Sequence, residues 1–324
     1  MTLLRLTSTG VARSHFAVSP LAETVGTLIA LHRSTTDPWL PVRQTPSAYR
    51  AWLAGNTVAA GLLGLVATTK WFPDVVAVPP AGGRETRFAD ELADVAAFSD
   101  TQVRATIDDA VAASHRSDTS WLPTTGAASH IAAVLEEGWH RFVEPDWPRR
   151  QAVIDREITY RADLVAAHGW QKAVTGMTRR STWVAPDAIR FNHGDWQDVP
   201  IGDNGLTFVP YTTRQGFWTC EHPPRYAFVY PARGPATHSH STSTDPLSVL
   251  LGPGRARIAR ELTTPTTSST LATTLNLSLG TISAHLAVLR KSGIATRTRS
   301  GRHVLYRLTD RGTTLLTLLH DENP

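Results

Sequence analysis

The chain has little cysteine, little lysine and, after residue 230, almost no aromatic residues. Cys220 is the only cysteine among 324 residues, which excludes an intrachain disulfide, a paired redox thiol and a zinc ribbon. Only three of the 32 basic residues are lysines. A lone thiol suits a reducing compartment, and the first residues lack the apolar segment of a secretory signal. The sequence therefore favours a cytoplasmic protein.

The aromatic residues are distributed unevenly. All ten tryptophans and all nine phenylalanines precede residue 230, and Tyr306 is the single aromatic residue after it. The change coincides with GPATHSHSTSTD, residues 234–245, which offers almost nothing apolar to a core and is typical of a linker. We therefore expect an N-terminal domain over residues 1–233, a linker over 234–245 and a C-terminal domain over 246–324.

The net charge of +4 is also distributed unevenly. Residues 255–324 contain 10 basic and 4 acidic residues and carry +6, whereas residues 1–254 contain 22 and 24 and carry −2. A basic patch confined to a small domain is typical of proteins that bind nucleic acids, because each neutralised phosphate releases counterions. A basic surface with no partner is the alternative.

The first part of the N-terminal domain follows a helical pattern. Ser19 and Pro20 suit the N-cap and the first position of a helix. Ser99 and Gln102 form a capping-box pattern ahead of apolar residues at spacing four. The uncharged segment 51–69 has the length of a membrane span, but its asparagine, glycines and threonines make a buried helix the better prediction.

Helices give way to strands further along this domain. Two more helices are predicted, one over HIAAVLEEGWHRFV and one from Trp147 to His168 that Gly169 ends. From residue 183 to residue 231 the runs STWVAPDAIRF, GLTFVP, QGFWTCE and YAFVYPA have β-strand character and are separated by turn residues. The N-terminal domain is therefore predicted to mix helices and strands.

Two helices joined by a short turn are predicted near the C-terminus. TSSTLATTL suits a short helix capped by Thr267 or Ser268, and Asn276 suits the turn. In the next helix Ile282, Leu286 and Leu289 form one buried face, whereas the opposite face is small and polar. Such a face allows a helix to enter a major groove about 12 Å wide. The arrangement predicts a helix-turn-helix.

A basic hairpin follows the second helix. Gly293 suits the C′ position that ends the helix, and IATRTRSGRHVLYRLT alternates around a predicted turn at Ser300 and Gly301. Its arginines would reach flanking phosphates or the minor groove. The predicted fold class is therefore α+β, with a mixed helical and β N-terminal domain followed by a C-terminal winged helix-turn-helix. The residues predicted to contact DNA are Ser278, Thr281, Ser283, Ala284, His285, Arg290, Arg297, Arg299 and Arg302.

Residues 247–312 resemble the winged helix of the ArsR/SmtB-like bacterial repressors. The matching motifs are LLGPGRARI, Leu277-Ser278, ISAHL, VLR, SGI, SGR and YRL. The resemblance implies a homodimer that binds an inverted-repeat operator in double-stranded DNA and usually represses transcription. It also implies that a small ligand or a metal ion sets the affinity for DNA.

The sequence departs from that family at its metal sites. No cysteine follows Cys220, and the last helix offers only His320 and two acidic residues, so metal sensing at the family's sites is not expected. His238 and His240 lie in the linker without a fixed third ligand, so we predict neither a metal nor a cofactor. Ala284 stands where a longer polar side chain is common, so base readout there would reduce to contact with a thymine methyl group. For His285 we favour bracing of the helix or contact with a phosphate over a switch.

The N-terminal 230 residues resemble a domain of uncharacterised function that precedes such winged helices in regulators of GC-rich bacteria. The matching pieces are VEPDWP, GLTFVP and YPARG. A domain of this size exceeds what dimerisation requires, so we hypothesise that it binds an apolar or aromatic small-molecule effector. Core packing is the alternative for most of its aromatic residues. The candidate effector-binding residues are Trp139, His140, Trp147, Trp170, Trp183 and Trp218.

The sequence gives no support for an enzyme. It contains no GxSxG elbow, P-loop, GxGxxG or HExxH motif. Cys220 and His222 lie on one face of a predicted strand, about 7 Å apart by strand geometry, so packing explains them better than a nucleophilic pair. A protein-interaction module without a ligand and a cryptic enzyme stay open as alternatives for the N-terminal domain.

Overall fold

The structure is a computed structural model that describes residues 3–33, 45–69, 71–114, 118–175, 177–178, 181–184, 187–190, 198–213, 216–233, 246–275, 277–300 and 303–319. The chain divides into two compact units. The first contains Met1–Trp147 and Glu157–Ala232, and the second contains Pro148–Arg156 and Arg233–Pro324. The segment Pro148–Arg156, expected in the N-terminal domain, therefore packs with the C-terminal residues. The predicted linker, 234–245, lies outside the described residues.

The α+β prediction is confirmed. The helices of the N-terminal part are α1 (Ser8–Arg13), α2 (Pro20–His32), α3 (Thr45–Ala54), α4 (Thr57–Val66), α5 (Phe88–Ala96), α6 (Asp100–Ala112), α7 (Ala127–Phe142) and α8 (Trp147–Val174), with 3₁₀ turns at Asp74–Val76 and Glu144–Asp146. Its strands are β1 (Leu3–Leu6), β2 (His15–Phe16), β3 (Thr182–Val184), β4 (Ala188–Arg190), β5 (Val199–Gly202), β6 (Thr207–Tyr211), β7 (Trp218–His222) and β8 (Arg225–Pro231).

Helix α2 lies at the centre of the first unit. Its start is as predicted, because the Ser19 side chain accepts a hydrogen bond from the Ala22 N–H at 2.9 Å and Pro20 takes the first position. Every residue from Pro20 to Leu31 is buried. A helix that is buried all round needs neighbours on every side, and here α4, α5 and α7 pack against it.

Two other helix boundaries also follow side-chain caps. The predicted capping box is present, with Ser99 and Gln102 bonding each other's backbone N–H groups. The single buried helix expected over 51–69 is wrong, because α3 ends at Ala54 and the Asn56 side chain accepts from the Ala59 N–H at 2.9 Å to begin α4. The cap at Asn56 therefore divides the apolar segment 51–69 between two helices.

In the described part of the chain no single helix is long and apolar enough to cross a membrane. Two consecutive helices with a bend between them, Ser268–Leu275 and Leu279–Lys291, are together long and apolar enough, but only by length and composition.

Helix α8 contains a break where the sequence predicts an end. Gly169 adopts φ +75°, in the left-handed region that favours glycine. The chain then resumes a helical turn and continues to Val174, six residues beyond the predicted end at His168. The glycine therefore bends the path of the chain without ending the element.

Two four-stranded sheets complete the first unit, in the orders β3-β4-β1-β5 and β2-β6-β8-β7. All five residues of β6 are buried, and β6 pairs with β8 in parallel. Neighbouring residues of β6 belong to different cores, since Phe208 packs with Leu4 and Ile189 whereas Val209 packs with the helices around α2. The central strands therefore separate two apolar cores.

The strands predicted between residues 183 and 231 are confirmed as β3, β4, β6, β7 and β8. Strands β1, β2 and β5 were not predicted. Strand β1 pairs with β4 and β5, about 190 residues away along the chain.

Burial perturbs a carboxyl group beside α2. Glu91 accepts hydrogen bonds from the Ser19 hydroxyl and from the Leu21 N–H, yet loss of solvent raises its pKa from 4.5 to about 8. The folded unit therefore retains a proton that the unfolded chain has lost between these pH values. The Asp74 pKa is also raised, to about 6, mainly by burial.

This proton predicts a pH-dependent stability. Because the raised pKa belongs to the folded state, the free energy of unfolding should be highest below pH 4.5 as far as Glu91 is concerned, and should fall as the pH rises towards about 8. Denaturant titrations at pH 5, 6, 7 and 8 measure this slope. Glu91→Gln should flatten it, and an unchanged slope in that variant would assign the effect to other groups.

Candidate DNA-binding site

The second unit consists of Pro148–Arg156 and a compact C-terminal domain. The domain contains α9 (Pro246–Leu251), α10 (Pro253–Glu261), β9 (Thr266–Thr267), α11 (Ser268–Leu275), α12 (Leu279–Lys291), β10 (Ala295–Ser300), β11 (His303–Leu308) and α13 (Asp310–Leu318). Its three strands form one sheet in the order β10-β11-β9. Buried residues of α10, α11 and α12 form its core.

Helices α11 and α12 form the predicted helix-turn-helix. The Thr267 hydroxyl accepts from the Thr270 N–H at 3.1 Å, so Thr267 is the cap, and Leu271 is fully buried. The two helices are bent by 117° relative to each other, within the range of about 90–120° for this motif. The predicted turn residue Asn276 lies outside the described residues.

Helix α12 has one buried face and one exposed face, as predicted. Ile282, Leu286 and Leu289 are at most 1% exposed. The residues predicted on the opposite face, Thr281, Ser283, Ala284, Ala287 and Arg290, are all exposed. Ser278 is also exposed, and its hydroxyl caps the helix by accepting from the Thr281 N–H at 3.1 Å. Five of the residues predicted to contact DNA are therefore exposed along α12 and at its cap, namely Ser278, Thr281, Ser283, Ala284 and Arg290.

The end of α12 fixes where the wing begins. Gly293 has φ +73°, and the Ile294 N–H donates to the Leu289 carbonyl at 2.9 Å, which is the Schellman closure expected of a C′ glycine. Strand β10 begins two residues later, at Ala295. The connection between the end of α12 at Lys291 and the start of β10 at Ala295 is therefore very short.

The wing is a regular antiparallel hairpin. Ser300 was predicted in the turn, but it lies on β10 and pairs with His303, while Gly301 lies outside the described residues. Arg297 and Arg299 are exposed on β10. Arg302 lies outside the described residues, so its predicted contact with DNA stays a prediction.

A cationic concavity lies between the end of α12 and β10. It has a volume of about 520 Å³ and is lined by Ala287, Arg290, Lys291, Ala295, Thr296 and Arg297. Three cations around one open hollow suit an anionic ligand. Lys291 was not predicted, although its place four residues after Ala287 on the outward face could have indicated it.

His285 occupies a different position from the other predicted DNA contacts. It is half-buried, and its ring lies so close to Gly254 that a Cβ there would stand 2.9 Å from Nε2. The ring therefore braces α12 against the start of α10. This geometry agrees with the bracing interpretation, and Gly254 leaves the space that the ring occupies.

The candidate effector residues fall into separate groups in the first unit. Trp139 stacks on Phe88, with ring centroids 4.7 Å apart, and contacts Trp147 edge-on at 5.1 Å. His140 is exposed and bonds Glu144 at 2.6 Å between Nδ1 and Oε2. This group has solvent-facing members as well as stacked rings.

The remaining three tryptophans pack in the two cores. Trp170 stacks on Phe16 and Phe208, and Trp183 packs against the same core. Trp218 stacks on Phe72 in the other core, with centroids 5.1 Å apart. The six residues therefore do not surround one common site.

Cys220 lies deep in the first unit. It is 2% exposed, and burial raises the pKa of its thiol well above the ordinary value. Its strand neighbour His222 contacts the Phe98 ring. A thiol that resists ionisation is a poor nucleophile, so this geometry supports packing. Among the described residues no group of three or more His, Cys, Asp or Glu side chains could hold a metal ion.

These features define a winged helix-turn-helix with a small-faced recognition helix and a basic wing, which is the architecture of a DNA-binding domain. Residues 253–297 match the family model described as "Bacterial regulatory protein, arsR family". The match supports an ArsR-type helix-turn-helix and, with it, a DNA-binding transcription regulator. Neither the curated proteins nor the solved structures contain a match to this chain. The resemblance noted for the N-terminal domain stays a prediction.

Proposed function

We propose that the protein is a sequence-specific transcription regulator that binds an inverted-repeat operator as a homodimer and acts as a repressor in the bacterial cytoplasm. The observation that carries this proposal is the continuity of the exposed face of α12 with the cationic concavity and the wing. Base edges would meet the small side chains of α12. Phosphates would meet Arg290, Lys291 and Arg297 at the concavity.

A dimer explains why one short helix can specify a site. Two recognition helices would enter successive major grooves about 34 Å apart, so the operator would repeat the symmetry of the protein. A change of a few ångströms in that separation would misplace one half-site. Control of the dimer geometry by the N-terminal unit would therefore control affinity for DNA.

The proposal is tested by fluorescence anisotropy of the full chain on DNA from upstream of its own gene, with a shuffled fragment for comparison and at two salt concentrations. A salt-sensitive preference for the native fragment is expected. If the operator lies elsewhere in the genome, selection from a randomised duplex library identifies the sequence that the protein prefers. A library that yields no enriched sequence would exclude sequence-specific binding.

Arg297→Ala should weaken binding to all sequences alike and should lower the salt slope by about one unit, because one phosphate contact is lost. Arg104→Ala is the matched control, since Arg104 is also exposed but lies on α6 in the first unit. Anisotropy across a salt series measures both slopes. Equal slopes for the two variants would remove Arg297 from the interface.

Changes on α12 should act differently from changes on the wing. Thr281 or Ser283 variants should alter which base is preferred, because these side chains face the groove in the proposed complex. Selection with each variant reads out the preference. If Arg297, Thr281 and Ser283 variants all lost affinity equally and kept the same preferred site, the assignment of roles would be wrong.

We propose further that the first unit senses a non-metal small molecule and has no catalytic activity. The group formed by Phe88, Trp139 and Trp147 combines stacked rings with the exposed His140 and supports an aromatic or apolar ligand better than the core tryptophans do. Tryptophan quenching and thermal shift across a metabolite and antibiotic panel test this. Trp139→Phe should reduce the quenching, and a flat response across the panel would remove the basis for an effector.

A further inference from the structure

Apart from the two cations at its C-terminal end, the exposed face of α12 lacks side chains that form paired hydrogen bonds to bases. Between Leu279 and Lys291 the helix contains no Asn, Gln, Asp or Glu. Asn and Gln read adenine through paired hydrogen bonds, and acidic side chains accept from cytosine. The two cations, Arg290 and Lys291, line the concavity at the end of the helix. The ring of His285 lies against Gly254, so base readout by the rest of the exposed face depends on hydroxyl and apolar groups.

Apolar groups form a strip along the same face. Thr281, Ala284 and Val288 are spaced at i, i+3 and i+7, which places them within an arc of about 60° on a helix with 3.6 residues per turn. All three are exposed, and Val288 is 47% exposed although its neighbours Ile282, Leu286 and Leu289 are buried. The strip therefore faces away from the core that holds α12 in place.

Only one base presents an apolar group in the major groove. Thymine carries its methyl group at C5, whereas the other edges present hydrogen-bond donors and acceptors. Burial of a methyl-sized apolar group is worth about fourfold in affinity. An apolar strip with a hydroxyl at one end matches a thymine edge, whose O4 accepts a hydrogen bond beside the methyl group.

We propose that Val288 and Ala284, with the methyl group of Thr281, select thymine by contact with its 5-methyl group, and that this contact is the main source of base specificity in α12. This inference rests on the proposed function, because it requires α12 to lie in the major groove. In the same complex Arg290, Lys291 and Arg297 bind the backbone and set the depth of the helix. Specificity and affinity then reside in different side chains.

The test removes the methyl group from the DNA. A duplex selected by the full-length protein from a randomised library is synthesised with thymine and again with 2′-deoxyuridine at each thymine position in turn. Uracil keeps every hydrogen-bonding group of thymine and lacks only the methyl. Wild-type protein should bind about fourfold more weakly when a contacted thymine is replaced.

Variants assign the effect to the strip. Val288→Ala should bring the thymine-to-uracil affinity ratio at one position per half-site close to one. Val249→Ala is the matched control, because Val249 is 69% exposed on α9 and lies outside the helix-turn-helix; it should keep the wild-type ratio. Equal melting temperatures would show that all three proteins are folded.

The outcomes separate the two proposals. Selection of a defined site with no uracil effect at any position would overturn thymine readout and leave sequence-specific DNA binding intact. A uracil effect that Val288→Ala leaves unchanged would overturn the assignment to this strip, because DNA shape would then be the cause. Failure to select any site would instead overturn the proposed function.

Discussion

Arg156→Met should destabilise the second unit by about 3–5 kcal/mol, because it leaves the Glu261 carboxylate buried without its partner. Arg156 Nη1 bonds Glu261 Oε2, and the two side chains are only 11% and 1% exposed. Glu261 is the last residue of α10, so the ion pair ties the segment Pro148–Arg156 to the scaffold of the helix-turn-helix. Arg149 adds a second tie, from its Nε to the Thr274 carbonyl at 3.2 Å.

Thermal unfolding followed by circular dichroism measures this loss, which corresponds to a fall in midpoint on the order of 10–20 °C for a unit of about 100 residues. Affinity for DNA should disappear over the same temperature range. Arg87→Met is the matched control: its pair with Asp90 is at the surface, with side chains 77% and 56% exposed, and little change is expected.

A double variant distinguishes a buried ion pair from a general packing defect. Arg156→Met with Glu261→Leu removes both charges together, and most of the lost stability should return, since paired buried charges can be replaced by apolar groups at little net cost. If the double variant were as unstable as Arg156→Met alone, the packing of Arg156 and not its charge would be what matters. Equal losses in Arg156→Met and Arg87→Met would contradict the burial argument altogether.

The ion pair between Arg156 and Glu261 could not be predicted from the sequence, whereas several helix ends could. Ser19, Ser99 and Gly293 were predictable as helix ends because their partners lie within a few residues along the chain. Arg156 and Glu261 are 105 residues apart. No local pattern connects them, so the sequence did not predict that the segment 148–156 packs with the C-terminal residues.

The same limit applies to strands and to the surface of the candidate site. Strand β1 has four residues, too few for a period of two to identify, and its partners lie near residues 190 and 199. The concavity requires both α12 and β10, so the sequence could place Lys291 on the outward face of α12 but could not place it near Arg297. Helix α12 was predictable because its apolar periodicity and the glycine that ends it are local features of the sequence.

Gly312→Ala should cost about 2–3 kcal/mol and reduce affinity for DNA, because there is no room for a methyl group at this position. A Cβ on Gly312 would stand 2.2 Å from the carbonyl oxygen of Ile294. The obstacle is backbone, so no change of rotamer relieves it and the chain itself must move. Ile294 precedes the first residue of β10, and its carbonyl accepts the Thr309 N–H at 3.0 Å. A shift there would displace the start of the wing.

Gly280→Ala is the control, because it makes the same glycine-to-alanine change where a methyl group has room. Gly280 lies in the first turn of α12, and the nearest atom to an added Cβ is the Ser278 hydroxyl at 3.8 Å. Alanine is a better helix former than glycine, so this variant should gain up to about 1 kcal/mol. Denaturant unfolding of the two variants should therefore shift in opposite directions from the wild type. If both gained stability, the Ile294 carbonyl would have room to move, and the wing would be less firmly tied to α13 than its contacts with Gly312 and Thr309 indicate.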